Sequence, residues 1–137
     1  MPFKLYAVID TNVLVSALFT RDPKSNTKRV LDLVLDGTIC PLFCDEIISE
    51  YQEVLSRDKF PFKPENVYDV IASIEHFGYD PGRTPSDELF PDHKDVVFYE
   101  VALSKDGAYL VTGNIKHFPK KPIVVTPAEL IGILNKD

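Results

Sequence analysis

The sequence predicts an α/β fold: a three-layer α/β/α sandwich around a central, mostly parallel, twisted sheet. Three observations carry this expectation. Short apolar runs alternate with helix-patterned stretches along the whole chain, the arrangement of a parallel sheet covered on both faces. The 137 residues suit a single domain spanning 1–137, enough to bury roughly two thirds of the unfolded surface. Apolar residues make up 45% and charged residues 26%, an ordinary globular balance. No internal repeat or low-complexity segment interrupts it.

Each element follows from its local pattern. Residues 5–9 are a short apolar run and read as a buried strand. Asp10, Thr11 and Asn12 end it, and Thr11 or Asn12 suits the cap of a helix over 13–19. Residues 21–27 are polar, contain Pro23, and read as a loop. Val30, Leu31, Val34 and Leu35 give a helix over 28–36, stopped by Gly37. Residues 38–43 form a second strand, and Pro41 places it at a sheet edge or bulge.

Residues 45–57 form an amphipathic helix with Ile47, Ile48, Tyr51, Val54 and Leu55 on one stripe. A further helix covers 65–77 and ends at Gly78. Residues 79–91 are rich in Pro, Gly, Asp and Ser and offer no regular pattern. A helix over 95–105 leads to Gly107, a strand over 109–111 and a turn at Thr112, Gly113 and Asn114. The last strand is 123–125. Thr126 as cap and Pro127 at the first helical position start a helix over 128–134.

Several function classes are disfavoured. Fifteen basic against 21 acidic residues give a net charge of −6, which argues against a generally basic coat for nucleic acid. Local basic patches and a bound metal remain compatible with it. Cys40 and Cys44 alone cannot complete a four-ligand zinc site, and they read as reduced thiols. No stretch is long and apolar enough to span a membrane, and no signal-peptide core precedes Asp10. The expectation is a cytoplasmic protein.

Placement separates candidate ligands from solvated acids. On a wheel stepping about 100° per residue, Glu46 and Glu53 fall far from the apolar stripe of their helix, while Glu50 borders it. In the 95–105 helix, Asp95 opens the side that carries Phe98, Tyr99 and Ala102, and Glu100 faces away. Capping by Asp92 or Asp95 is an alternative, stabilising a first turn by about 0.3–1 kcal/mol. Asp10 ends an apolar run, where a charge costs several kcal/mol unless it is paired or metal-bound. Its alternative is capping of the helix that follows. Asn114 suits turn chemistry. His117 suits a base, a ligand or a loop anchor.

In this order the motifs resemble the PIN-domain family. The segments are Val8-Ile9-Asp10-Thr11-Asn12-Val13, then Glu50-Tyr51-Gln52-Glu53-Val54-Leu55, then Asp92-His93-Lys94-Asp95 with Phe98 and Ala102. Tyr109-Leu110-Val111-Thr112-Gly113-Asn114 and Lys116-His117-Phe118-Pro119 complete the set. The likeness covers nearly the whole chain and is closest to the branch of toxin components of bacterial toxin–antitoxin systems. It implies an endoribonuclease using one or two Mg²⁺ or Mn²⁺ ions, with Asp10, Glu50, Asp92, Asp95 and the Asn114 position as catalytic residues. Asp10, Asp95 and Glu50 would be the metal ligands. Hard oxygen donors suit these ions.

Many members carry an aspartate where this chain has Asn114, which weakens a second-ion site. Thr11, Asn12 and Thr112 are candidates for orienting water or phosphate. Lys116, His117, Lys120 and Lys121, with Arg57 and Lys59, are candidates for RNA phosphate contacts. Phe118 suits a base stack or a core anchor. The resemblance also implies an RNA substrate, a cognate antitoxin and a homodimer. The rival readings are a catalytically weakened PIN-fold binding module, a structure-specific DNA nuclease and a metal-dependent phosphatase. The last is disfavoured because Thr-Asn-Val follows Asp10.

Overall fold

The structure is a computed structural model and describes residues 3–136. Four parallel strands make one sheet in the order β2-β1-β3-β4, where β1 is Leu5–Ile9, β2 Ile39–Leu42, β3 Tyr109–Val111 and β4 Val124–Val125. Six helices accompany them: α1 Thr11–Phe19, α2 Asn26–Leu35, α3 Asp45–Leu55, α4 Pro64–Phe77, α5 Val96–Ala102 and α6 Pro127–Asn135. Strand β1 is central, and Ala7, Val8 and Ile9 are almost wholly buried, as are Leu110 and Val111 beside them. Burial of successive strand residues requires cover on both faces, because side chains alternate across a sheet. The expected α/β architecture is present, and the sheet is parallel throughout.

Chain order decides where a ligand can sit. From β1 the chain crosses to β2 on one side, while β3 lies on the other side of β1. The carboxyl ends of β1 and β3 therefore border the crevice where strand order reverses, the usual ligand position of open α/β sheets. Asp10 follows β1 and Thr112 follows β3, and Asp10 N–H donates to the Val111 carbonyl at 2.9 Å.

Several element ends differ from the sequence expectation. Helix α1 starts at Thr11, so Thr11 and Asn12 lie inside it and Asp10 is the flanking residue, with no side-chain cap. Both side chains are engaged elsewhere, as described below. Helix α2 starts at Asn26 rather than residue 28, because Ser25 accepts from the Lys28 amide and draws residues 26 and 27 into the helix. Helix α3 stops at Leu55, leaving Arg57 beyond it.

The helix expected over 95–105 is shorter. Residues His93–Asp95 form a 3₁₀ turn and α5 ends at Ala102. A second 3₁₀ turn, Ile115–His117, follows Asn114. Thr126 caps α6 as expected, and Glu129 completes a reciprocal capping box, accepting from the Thr126 amide at 2.8 Å. Pro41 sits on edge strand β2, as its missing N–H requires. The chain after α4 lies along that strand: Tyr79 N–H donates to the Pro41 carbonyl at 3.2 Å, and Phe43 N–H to the Tyr79 carbonyl at 3.3 Å. No helix among the described residues is long and apolar enough to cross a membrane.

Candidate active site

Asp10 is buried, with 6% of its surface exposed. It is there because β1 must run on into α1 at the sheet's carboxyl edge, and its carboxylate is held by two neighbours. Thr112 Oγ1 donates to Oδ2 at 2.7 Å, and Asn12 Nδ2 donates to the same oxygen at 3.2 Å. Thr112 is itself fixed, since it is fully buried and its Oγ1 accepts from the Asn114 amide at 2.9 Å. Asn12 also ties the two strand ends together, its Oδ1 accepting from the Gly113 amide at 3.1 Å.

Burial pushes the Asp10 carboxyl up from 3.8 to about 6. The Thr112 hydroxyl opposes that rise, and the negative charges of Asp95 and Glu50 add to it. The charges of Asp95 and Glu50 thus reach Asp10, although the three residues follow β1, lie on α3 and lie in the turn before α5. Glu50 lies at the border of its helix's buried stripe and accepts a hydrogen bond from the Thr11 hydroxyl. Beside it, buried Tyr51 donates its hydroxyl to the Ile9 carbonyl, which pins α3 against the end of β1.

Asp95 is mostly covered, its side chain 17% exposed. Its pKa is raised, first by burial and then by Asp92 and Glu50, with His117 acting against the rise. His117 Nδ1 stands 3.4 Å from Asp95 Oδ2. That distance is long for a hydrogen bond, and Oδ2 is a buried oxygen with no hydrogen-bond partner among the described residues. Asp92 is exposed and caps the following turn, Oδ1 accepting from the Lys94 amide at 2.9 Å. The capping alternative therefore describes Asp92, while Asp95 stays uncapped and turned inward.

The remaining predicted residues sort by exposure. Asn114, Lys116 and His117 line a groove of about 440 Å³ at the mouth of the site. Lys120 and Lys121 are exposed, with Lys121 paired to Glu88 at 3.2 Å. Arg57 is exposed and bound to Glu53 at 2.7 Å. Phe118 is buried and serves as a core anchor, with its ring edge-on to Phe90. His93 and Lys94, read only as part of the motif, share a second groove of about 290 Å³ with Glu50 and Arg83. Sequence pattern alone missed Tyr51 and the His117–Asp95 pair. Tyr51 carried a signal, being the apolar-stripe residue next to Glu50.

The donor set suits a hard divalent cation. A buried carboxylate oxygen without a partner among the described residues, and a carboxyl raised by burial and further by two like charges, are both relieved by a positive ion. As the side chains stand, no three Asp, Glu, His or Cys groups among the described residues converge closely enough to hold an ion. The acids are gathered around one crevice without being closed into a ligand set.

Comparison with known proteins bears on the fold and the family. No curated protein sequence matches. Among solved structures, a chain in the crystal structure of VapBC2 from Rickettsia felis bound to a DNA fragment from their promoter has a similar fold. It superposes with a TM-score of 0.56 at 18% identity, covering 89% of this chain and 97% of that one. A family model described as PIN domain matches residues 6–116, a stretch that takes in Asp10, Glu50, Asp95 and Asn114. With motifs, sheet order and this match in agreement, the chain belongs to the PIN domain family.

Proposed function

We propose that this protein is a metal-dependent endoribonuclease, hydrolysing phosphodiester bonds of RNA as the toxin of a toxin–antitoxin pair. The observation that carries the reading is the crevice between β1 and β3. There Asp10 is raised to about 6 with Asp95 and Glu50 contributing, and Asp95 keeps a buried oxygen unpartnered. PIN domains are generally nucleases and typically use divalent metals. Asp10 and Asp95 would hold Mg²⁺ or Mn²⁺, with Glu50 and Asp92 available for its waters or a second ion. The bound ion supplies Lewis-acid polarisation of the phosphodiester and a nucleophile at neutral pH.

The chain's own residues do the positioning. Thr112 and Asn12 orient the Asp10 carboxylate, and Thr11 orients Glu50. His117 Nδ1 faces Asp95 Oδ2 at 3.4 Å from the side of the groove. Asn114, Lys116 and Lys120 are exposed where an RNA phosphate would approach. A cognate antitoxin and a homodimer belong to the same reading. The antitoxin is supported by the likeness to a chain in the structure of VapBC2 bound to promoter DNA, and the homodimer rests on the family resemblance alone.

A second reading, a PIN fold that binds RNA without cutting it, is favoured by one residue. Asn114 is neutral and stands exposed at the groove mouth. The test is incubation of purified protein with single-stranded RNA, and in parallel with DNA flaps, in Mn²⁺ beside its Asp10→Asn variant. Cleavage by the wild type alone is expected. Equal cleavage by both removes the nuclease reading, RNA binding without cleavage supports the second reading, and preference for DNA flaps removes the RNA assignment.

A further inference from the structure

The far ends of α1 and α3 carry a surface that the acidic crevice does not use. Phe19, the last residue of α1, is 60% exposed. Its ring stands edge-on to Phe62, with centroids 6.3 Å apart. Phe62 stacks on Phe60 at 5.1 Å with ring planes 12° apart, and Lys59 Nζ sits 5.2 Å from the Phe60 centroid. Between the end of α1 and the start of α4 lies a groove of about 330 Å³. Phe19, Arg21, Phe62, Lys63 and Asn66 all line it, and no carboxylate does.

Two features give this groove a direction of chemistry. The chain carries a net charge of −6, yet the charged groups lining the groove are the cations Arg21 and Lys63. Neither makes an ion pair among the described residues, whereas Arg57 and Arg83 are held by carboxylates. The neighbouring acid Asp22 has its carboxylate turned to the Lys24 amide at 2.9 Å. An open aromatic face beside uncompensated cations is the combination that holds unpaired nucleotides, with bases stacking on rings and phosphates meeting the cations.

Position links this groove to the site. Thr11, which holds Glu50, begins α1, and Phe19 ends it about 12 Å further along the axis. Helix α3 carries Glu50 and leads through Lys59 to Phe60 and Phe62. A strand that uses both places has about 12 Å of α1 to run along between them.

We infer that the groove between the end of α1 and the start of α4 is a single-strand RNA subsite: Phe19 stacks a base, and Arg21 and Lys63 bind the flanking phosphates. The identity of the strand rests on the ribonuclease reading. The test measures binding of a fluorescein-labelled twelve-nucleotide single-stranded RNA, with every protein carrying Asp10→Asn to prevent cutting. Phe19→Ala is expected to lower affinity about tenfold, and Phe19→Trp to restore it. Arg21→Gln and Lys63→Gln are each expected to reduce the slope of log affinity against log salt by about 0.7. In proteins that keep Asp10, Phe19→Ala slows cleavage of the twelve-nucleotide RNA and leaves that of a dinucleotide unchanged, since one nucleoside on either side of the scissile phosphate falls short of the roughly 12 Å to the groove.

Unchanged affinity in Phe19→Ala overturns the inference. So does an equal loss for a twelve-base-pair RNA duplex, whose bases cannot stack on the ring. If affinity is unchanged while Phe19→Ala alters the sedimentation coefficient, the face pairs copies of the chain instead. If the wild type cuts no RNA but Phe19→Ala still weakens binding and Phe19→Trp restores it, the nuclease reading fails and the subsite stands.

Discussion

A carboxyl group whose pKa is raised by burial makes the folded state sensitive to pH in a definite direction. Asp10 titrates near 6 in the folded chain against an ordinary 3.8. Between these values the folded state binds the proton more tightly than the unfolded chain does. Its contribution is therefore fully present below the ordinary value and is lost as pH rises through about 6. The gap corresponds to about 3 kcal/mol. Asp10→Asn is expected to be more stable than the wild type by up to about this amount near neutral pH without divalent metal. The difference should close as pH falls below the ordinary carboxyl value. Urea denaturation at a series of pH values in EDTA reads it, and a difference that does not change with pH contradicts the assigned origin. A cation bound at Asp10 offsets the same cost, so Mn²⁺ should raise the unfolding midpoint of the wild type and not of the variant.

Single residues also show how far the sequence could be read. Asp10 stood out because a charge ends an apolar run, and Glu50 because it borders a buried stripe. The bonds that orient them were invisible to pattern: Thr11 reaches Glu50 across 39 residues, and Tyr51 reaches Ile9 across 42. Such contacts depend on how elements pack, which helical and strand periods do not specify. Asp92 and Asp95 had equivalent capping readings. They separate only because the backbone forms a 3₁₀ turn that leaves Asp92 outside and Asp95 turned in.

At the level of elements, existence was legible and ends were not. The periodic cores of α2, α3 and α4 are where expected, because an apolar stripe survives small errors of phase. Ends are decided by caps and by neighbouring chain. Ser25 lengthens α2, and α5 stops three residues before the expected end. Gly78, read only as a stop, has a stronger reason to be glycine. A Cβ built there would lie 1.8 Å from the Pro41 carbonyl oxygen, since the chain must press against β2 to pair Tyr79 with it. Gly78→Ala is expected to destabilise by at least about 3 kcal/mol in chemical denaturation. Gly132→Ala is the control: it lies inside α6 with nothing within 4 Å of the added carbon. It should stabilise by about 0.5–1 kcal/mol. Similar effects at both positions would show that the Gly78 approach is not tight.

For the whole molecule, strand order determines which parts open last. Strand β1 pairs with β2 on one side and β3 on the other, and α3 is pinned to its end through Tyr51. Strand β4 has two residues and a single strand neighbour. Amides of Val8, Ile9 and Asp10 are expected to exchange hydrogen only on global unfolding, and β4 amides well before them. Site-resolved exchange measures this. Equal protection of β4 and β1 would mean that the sheet opens as one unit.

The hydrogen bond from Thr112 to Asp10 closes a loop of 102 residues around the candidate crevice. Translation adds about 5–20 residues per second, so roughly 5–20 s separate the emergence of one partner from that of the other. During that interval the growing chain holds an incomplete crevice beside the message that encodes it. The crevice therefore takes its folded form only after Thr112 has reached Asp10, and a shorter nascent chain cannot assemble it.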